Sequence, residues 1–185
     1  PMSPQYYVRG SDPGENLVQL DGMTIYNPQH FMGSSAIFNP YAIKNVEMLV
    51  GGFDAEYGGR NASILNISTR EGHQSEIHGE FRPSISGISG AIEFPAGKHG
   101  TAMLSGRTYT DFMLRVMMGS PNLVMDYNAA YQVLLGKTRL RFSGFFARDY
   151  MDYSVDNLML FFPEGLFDSF GEGFVTNTTN RALGV

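Results

Sequence analysis

Cysteine and tryptophan are absent from the 185 residues. No disulfide framework and no cysteine-ligated metal site can therefore be built. Charged side chains are scarce, at 17%, against roughly 25% in soluble domains. Acids outnumber bases, 18 to 13, for a net charge of −5, which excludes the basic footprint of a general nucleic-acid binder. No apolar run is long enough for a membrane-spanning helix, and no basic-then-apolar signal sequence is visible. The chain starts at Pro1, so the expectation is a processed piece or fragment of a longer protein. What is abundant is glycine, 22 residues, with 14 Phe and 10 Tyr. That mix excludes a disordered chain and fits a β-rich protein, including one whose strands face lipid.

Two compositional regimes meet near residue 75. The first is rich in Asn, Gly and Pro and reads as short strands broken by turns. Tyr6–Arg9, Leu17–Leu20, Met23–Tyr26, Val46–Val50 and Ser63–Thr69 read as strands. Asp21-Gly22 is a hairpin signal. Asn39-Pro40 is the start of a short helical turn running to Ile43. Residues 27–40 read as a long polar and aromatic loop.

From about Glu76 the pattern becomes longer strands with a period of two. Ile77 to Arg82, Gly90 to Phe94, Ala102 to Arg107, Asn128 to Leu135 and Arg139 to Ala147 all alternate, with Phe145 as the one bulky exception. Their lengths suit strands tilted across a bilayer. Connections alternate as well: Pro95–Gly100 and Gly136-Lys137 are short, Asp111–Asp126 and Asp152–Gly173 long. Short turns on one side and long loops on the other are an outer-membrane barrel pattern, although a soluble β-sandwich shares the alternation. The fold class expected is mainly β: an α+β unit over residues 1–75, then about six antiparallel strands of an incomplete barrel over residues 76–185.

Several blocks carry a resemblance. They are Tyr7-Val8-Arg9-Gly10, Leu17-Val18-Gln19-Leu20-Asp21-Gly22 and Ile43-Lys44-Asn45-Val46-Glu47-Met48-Leu49. Tyr57-Gly58-Gly59-Arg60 and Leu65-Asn66-Ile67-Ser68-Thr69-Arg70 complete the set. In this order they resemble the plug domain of a TonB-dependent outer-membrane receptor. Ser105-Gly106-Arg107-Thr108-Tyr109 and Ser143 to Asp149 are similar to the first barrel strands of that family. Gly51-Gly52-Phe53 ahead of Ala55 to Arg60 resembles the Bacteroidetes variant. Val50 stands where the commoner siderophore pattern has Arg.

The resemblance implies a receptor that binds a scarce nutrient and imports it through a plug-gated barrel. It implies location in the bacterial outer membrane and no covalent catalysis. Its partners are outer-membrane lipids, a surface lipoprotein or other outer-membrane chains, and the TonB–ExbB–ExbD complex, which is reached through a segment upstream of Pro1. It implies that Arg9 and Arg60 lock the plug to carboxylates on the barrel wall, where the alternative is a solvated turn arginine. It brings the loop residues Tyr26, Asn27, Gln29, His30 and Phe31 toward ligand, where the alternative is packing against the wall. Gly51-Gly52 and Gly58-Gly59 are followed by no Lys-Ser/Thr, so no nucleotide cradle is expected. His30, His73, His78 and His99 share no ligand spacing, so neither metal nor cofactor is expected. No nucleophile–base–orienter set occurs. A rival reading is a structural or interaction subunit that reuses a plug and a few strands in a larger outer-membrane assembly. A third is a soluble carbohydrate-binding module.

Overall fold

The computed structural model describes residues 7–30, 33, 35–54, 57–110, 115–116, 122–154 and 173–184, and its side-chain detail ends at residue 151. The first sheet holds β1 (Asn16–Leu20), β2 (Met23–Thr24), β3 (Ile43–Leu49) and β4 (Ser63–Thr69). Its order is β2-β1-β4-β3, with β1 parallel to β4 and the other pairs antiparallel. Asp21 and Gly22 both take positive φ, 49° and 81°, the geometry of a two-residue hairpin turn matched to strand twist. Asn39 caps the 3₁₀ turn Pro40–Ala42 by accepting the Tyr41 N–H at 3.1 Å.

Two sequence expectations need correction here. Tyr7–Arg9 is not a strand: Ser11 N–H bonds the Val8 carbonyl at 3.0 Å, with Arg9 and Gly10 at φ 51° and 78°. The tight turn, not the apolar run before it, sets the local backbone. The strand opposite β1 also ends early, at Thr24. The chain then turns toward Pro28, which has no N–H to continue a ladder.

The second sheet is antiparallel and in sequence order: β5 (His78–Pro83), β6 (Gly87–Pro95), β7 (Gly100–Tyr109), β8 (Asn122–Leu135), β9 (Thr138–Ser154) and β10 (Gly173–Gly184). It is not closed, and β5 and β10 are its edges. The six strands agree with the sequence reading. β8 and β9 run 14 and 17 residues, longer than the roughly 9–11 that cross a bilayer at a tilt. The β5–β6 connection, on the side where later loops are long, is only residues 84–86.

Alternation along these strands separates two faces. Met103, Val124, Ala130 and Ala147 are buried toward the first sheet. Ile92, Leu104, Tyr127, Tyr131, Leu140 and Phe142 are exposed on the other side. Phe145, the exception to the alternation, is with Ala147 the second sheet's share of a common core. It is 4% exposed, its ring lies 6.3 Å from that of Phe38, and Val18, Leu20, Ile25, Ile37 and Ile67 complete the cluster. An apolar residue on a polar face is thus explained by the apolar element it meets.

The segment joining the sheets runs along β7. Thr101 donates its hydroxyl to the Glu71 carbonyl at 2.5 Å, and Arg70 pairs with Glu80 and Glu93 at 3.0 and 3.1 Å. Gly72 has φ 86°, and a Cβ there would come within 2.5 Å of the Ala102 carbonyl oxygen. Gly97 has φ 83° with open space around it. Gly72→Ala should therefore cost more than Gly97→Ala, which carries only the backbone strain of about 1–3 kcal/mol. Urea midpoints of the two variants check this; equal midpoints would contradict the close approach.

Candidate functional site: the polar contacts between the two sheets

The loop from Pro28 to Ile37 carries a histidine into the concave face of the second sheet. Its arms are tied by a Gln29–Ala36 bridge, by His30 N–H to the Ser35 carbonyl at 2.9 Å, and by Ile37 N–H to the Pro28 carbonyl at 3.1 Å. His30 Nε2 lies 2.6 Å from Asp126 Oδ1 on β8, and Nδ1 lies 2.5 Å from Asp149 Oδ1 on β9. The three residues are 2%, 0% and 4% exposed. Arg107 on β7 donates through Nε to Asp126 Oδ2 at 2.5 Å and through Nη2 to the Ala36 carbonyl at 2.6 Å. The Tyr109 ring stands edge-on to His30, and its hydroxyl hydrogen-bonds that of Ser35. Burial opposes a charge on His30, but the hydrogen bonds and attraction of Asp126 and Asp149 outweigh it and hold the imidazole above its ordinary value of 6.5.

A second contact has the opposite polarity. Arg141 on β9 donates through Nη2 to the Thr69 hydroxyl at 2.6 Å and carbonyl at 3.0 Å, and to Asp21 at 3.2 Å. Asp21 also accepts the Thr69 N–H at 2.9 Å and hydroxyl at 2.6 Å, so one carboxylate fastens the hairpin turn to β4 and to the second sheet. A third contact is Asn39, fully buried, whose amide donates to the carbonyls of Gly90 and Gly106, each at 3.2 Å. Glu71 lies near this end, and its hydrogen bond to Lys44 holds its carboxyl below the usual range against the effect of burial.

The described sequence-predicted residues fall in three places. Tyr26 and Asn27 are exposed, and with half-buried Gln29 they line a cavity of about 180 Å³ that also takes in Arg60, Gly14 and Thr24. Arg60 donates to the Gly14 carbonyl in that wall. His30 points away from the cavity, into the carboxylate pair. Arg9 is exposed on its tight turn, with its guanidinium beside Gly51. Phe31 lies outside the described residues. Asp126, Asp149, Arg107, Arg141, Asp21 and Asn39 were not singled out from sequence as site residues. A usable signal existed for four of them: Arg107, Asp126, Arg141 and Asp149 sit at the in-facing parity of β7, β8 and β9, where an ionised side chain needs a partner. Among the described residues no group of three His, Asp or Glu side chains is placed to hold a metal ion.

Compared with known families, residues 1–63 match the TonB-dependent Receptor Plug Domain. This part of the chain is a TonB-dependent receptor plug. No curated protein and no solved structure was found to match the chain. The match runs from the N-terminus through β1, β2 and β3 to the first residue of β4. The match therefore contains His30, Asp21 and Asn39, one member of each contact, while Thr69 of the second contact lies just beyond it. Their partners Asp126, Asp149, Arg107, Arg141, Gly90 and Gly106 lie on the sheet that follows, which stands to the plug as a wall. A plug domain marks a family of outer-membrane receptors, which are transporters rather than enzymes.

Proposed function

We propose that the chain is the plug and first wall strands of an outer-membrane receptor that binds a scarce nutrient and imports it when TonB pulls on the plug. Residues 1–75 are the plug and 76–185 the beginning of the barrel. The observation that carries this reading is the two-faced sheet against which the plug is seated. Its inner face presents Arg107, Asp126, Arg141 and Asp149 to the plug. Its outer face presents Leu104, Tyr127, Tyr131, Leu140 and Phe142. Charged groups inside and apolar groups outside suit a strand wall between lipid and lumen. Tyr26, Asn27 and Gln29, around their cavity, are the ligand-contacting residues of this reading, and Arg9 and Arg60 its further plug–barrel locks. TonB–ExbB–ExbD, outer-membrane lipids and a surface lipoprotein are the corresponding partners.

The test is conductance in planar bilayers of the full-length protein. Little current is expected until residues 1–63 are removed, whereupon a large pore opens. An unchanged current would contradict a plug-gated import role. The lipid assignment has its own test. Phe142, stacked on Tyr131, faces out, whereas Ser143 faces in. Phe142→Arg should cost about 2–4 kcal/mol near the bilayer midplane, and Ser143→Arg much less. The yield of assembled protein in the outer membrane reads the difference, and equal yields would reverse the orientation.

A second reading is a structural subunit of a larger outer-membrane assembly, with the edge strands β5 and β10 paired to another chain. Native mass in mild detergent separates the two: a single-chain barrel for the receptor, a mixed assembly for the subunit.

A further inference from the structure

Plugging a pore requires that the loop carrying His30 be seated, but it does not require a histidine. What distinguishes this seat is that both ring nitrogens face carboxylate oxygens, at 2.6 and 2.5 Å. An ionised carboxylate only accepts hydrogen bonds, and a neutral imidazole has one N–H to give. Only the imidazolium satisfies both neighbours. In that state two cations, His30 and Arg107, face the carboxylates of Asp126 and Asp149 in a site almost closed to water. With His30 neutral, one ring lone pair would face a carboxylate oxygen, a repulsive contact between buried acceptors.

We propose that His30, as an imidazolium bridging β8 and β9, is the latch that seats the plug loop on the wall, and that loss of its proton unseats the loop. His30 is a positioning residue, buried among side chains of the wall. The inference rests on the plug reading above only in calling the seated element a plug. The groups facing His30 are Arg107 and Tyr109 from β7, Asp126 from β8 and Asp149 from β9; its own loop contributes Ser35 and, among the described residues, no ionisable side chain. Arg107 is engaged by Asp126 and the Ala36 carbonyl.

The direction with pH follows from linkage. The seated histidine holds its proton more tightly than a free one. The stabilisation is therefore complete below the ordinary histidine value and is lost as pH rises through the raised one. Asp149→Asn removes one carboxylate and supplies an amide N–H, which the Nδ1 lone pair of a neutral His30 can accept. That variant should stay seated across the same range.

Two measurements on the full-length protein test this. The first is ¹⁵N NMR of ring-labelled histidine in detergent micelles, with His30 assigned by its disappearance in His30→Gln. Both His30 nitrogens should carry protons at pH values where a free histidine is neutral; a neutral His30 at or below those values overturns the proposal, whether or not the chain transports anything. The second is plug seating against pH, read as protease protection of residues 27–36. Wild type should lose protection at alkaline pH, and Asp149→Asn should not. Identical profiles for the two proteins would also overturn it.

Discussion

Asp126→Ala should be the most damaging single substitution at the plug–wall contact. Its carboxylate is fully buried and accepts from two cationic groups, His30 at 2.6 Å and Arg107 at 2.5 Å. Removing it leaves two donors facing a dry cavity, and breaking a buried ion pair from one side costs about 3–5 kcal/mol. Asp126→Asn keeps the volume and one acceptor, so it should fall between alanine and wild type. The denaturant midpoint of the full-length protein in detergent, followed by near-ultraviolet circular dichroism, reads the loss. A midpoint unchanged within error would mean that the plug is not held by this carboxylate. Lys44–Glu71 is the useful contrast, because both partners are partly exposed and such pairs are worth about 0–1 kcal/mol.

The second large effect is expected at Phe145→Ala. The ring is almost wholly buried between the sheets, against Phe38. Truncating a core phenylalanine costs about 3–5 kcal/mol, part of it from the cavity left behind. Phe142, three residues earlier on the opposite face, is 43% exposed, and Phe142→Ala should cost far less in the same assay. Phe38→Ala combined with Phe145→Ala should cost less than the sum of the two, since each empties part of one cluster. Strict additivity would mean that the two rings do not share a core.

Local periodicity made much of this architecture legible. β4 occupies the Ser63–Thr69 span read from sequence, and five of the six later strands follow from a period of two; β10 carried no alternation that was read. The plug resemblance rested on ordered blocks between Tyr7 and Arg70, and the family match covers residues 1–63. The pairings between the sheets were not legible. His30 and its acceptors are 96 and 119 residues apart, and no local pattern says which strand will pass a given loop. Arg141 likewise reaches across 120 residues to Asp21. Phe145 broke the polar alternation of β9, and the mark was visible, but its cause was Phe38 on another element. Histidine alone on a loop carries no signal of burial. The in-facing parity of Asp126 and Asp149 does, because a carboxylate on the covered face of a strand must find a cation or a donor.

The central claim is that the plug sits against the inner face of the second sheet. These 185 residues contain no cysteine, so no native thiol within them competes with two introduced ones. Ile37 and Ala147 belong to one buried cluster, whereas Phe146, the neighbour of Ala147, lies on the outer face beside Tyr127. The full-length protein carrying Ile37→Cys with Ala147→Cys should crosslink with a short bifunctional thiol reagent in native outer membranes. The pair Ile37→Cys with Phe146→Cys should not. Crosslinking at 146 equal to that at 147, or none at 147 with both thiols shown to be reactive, would contradict the seating of the plug described here.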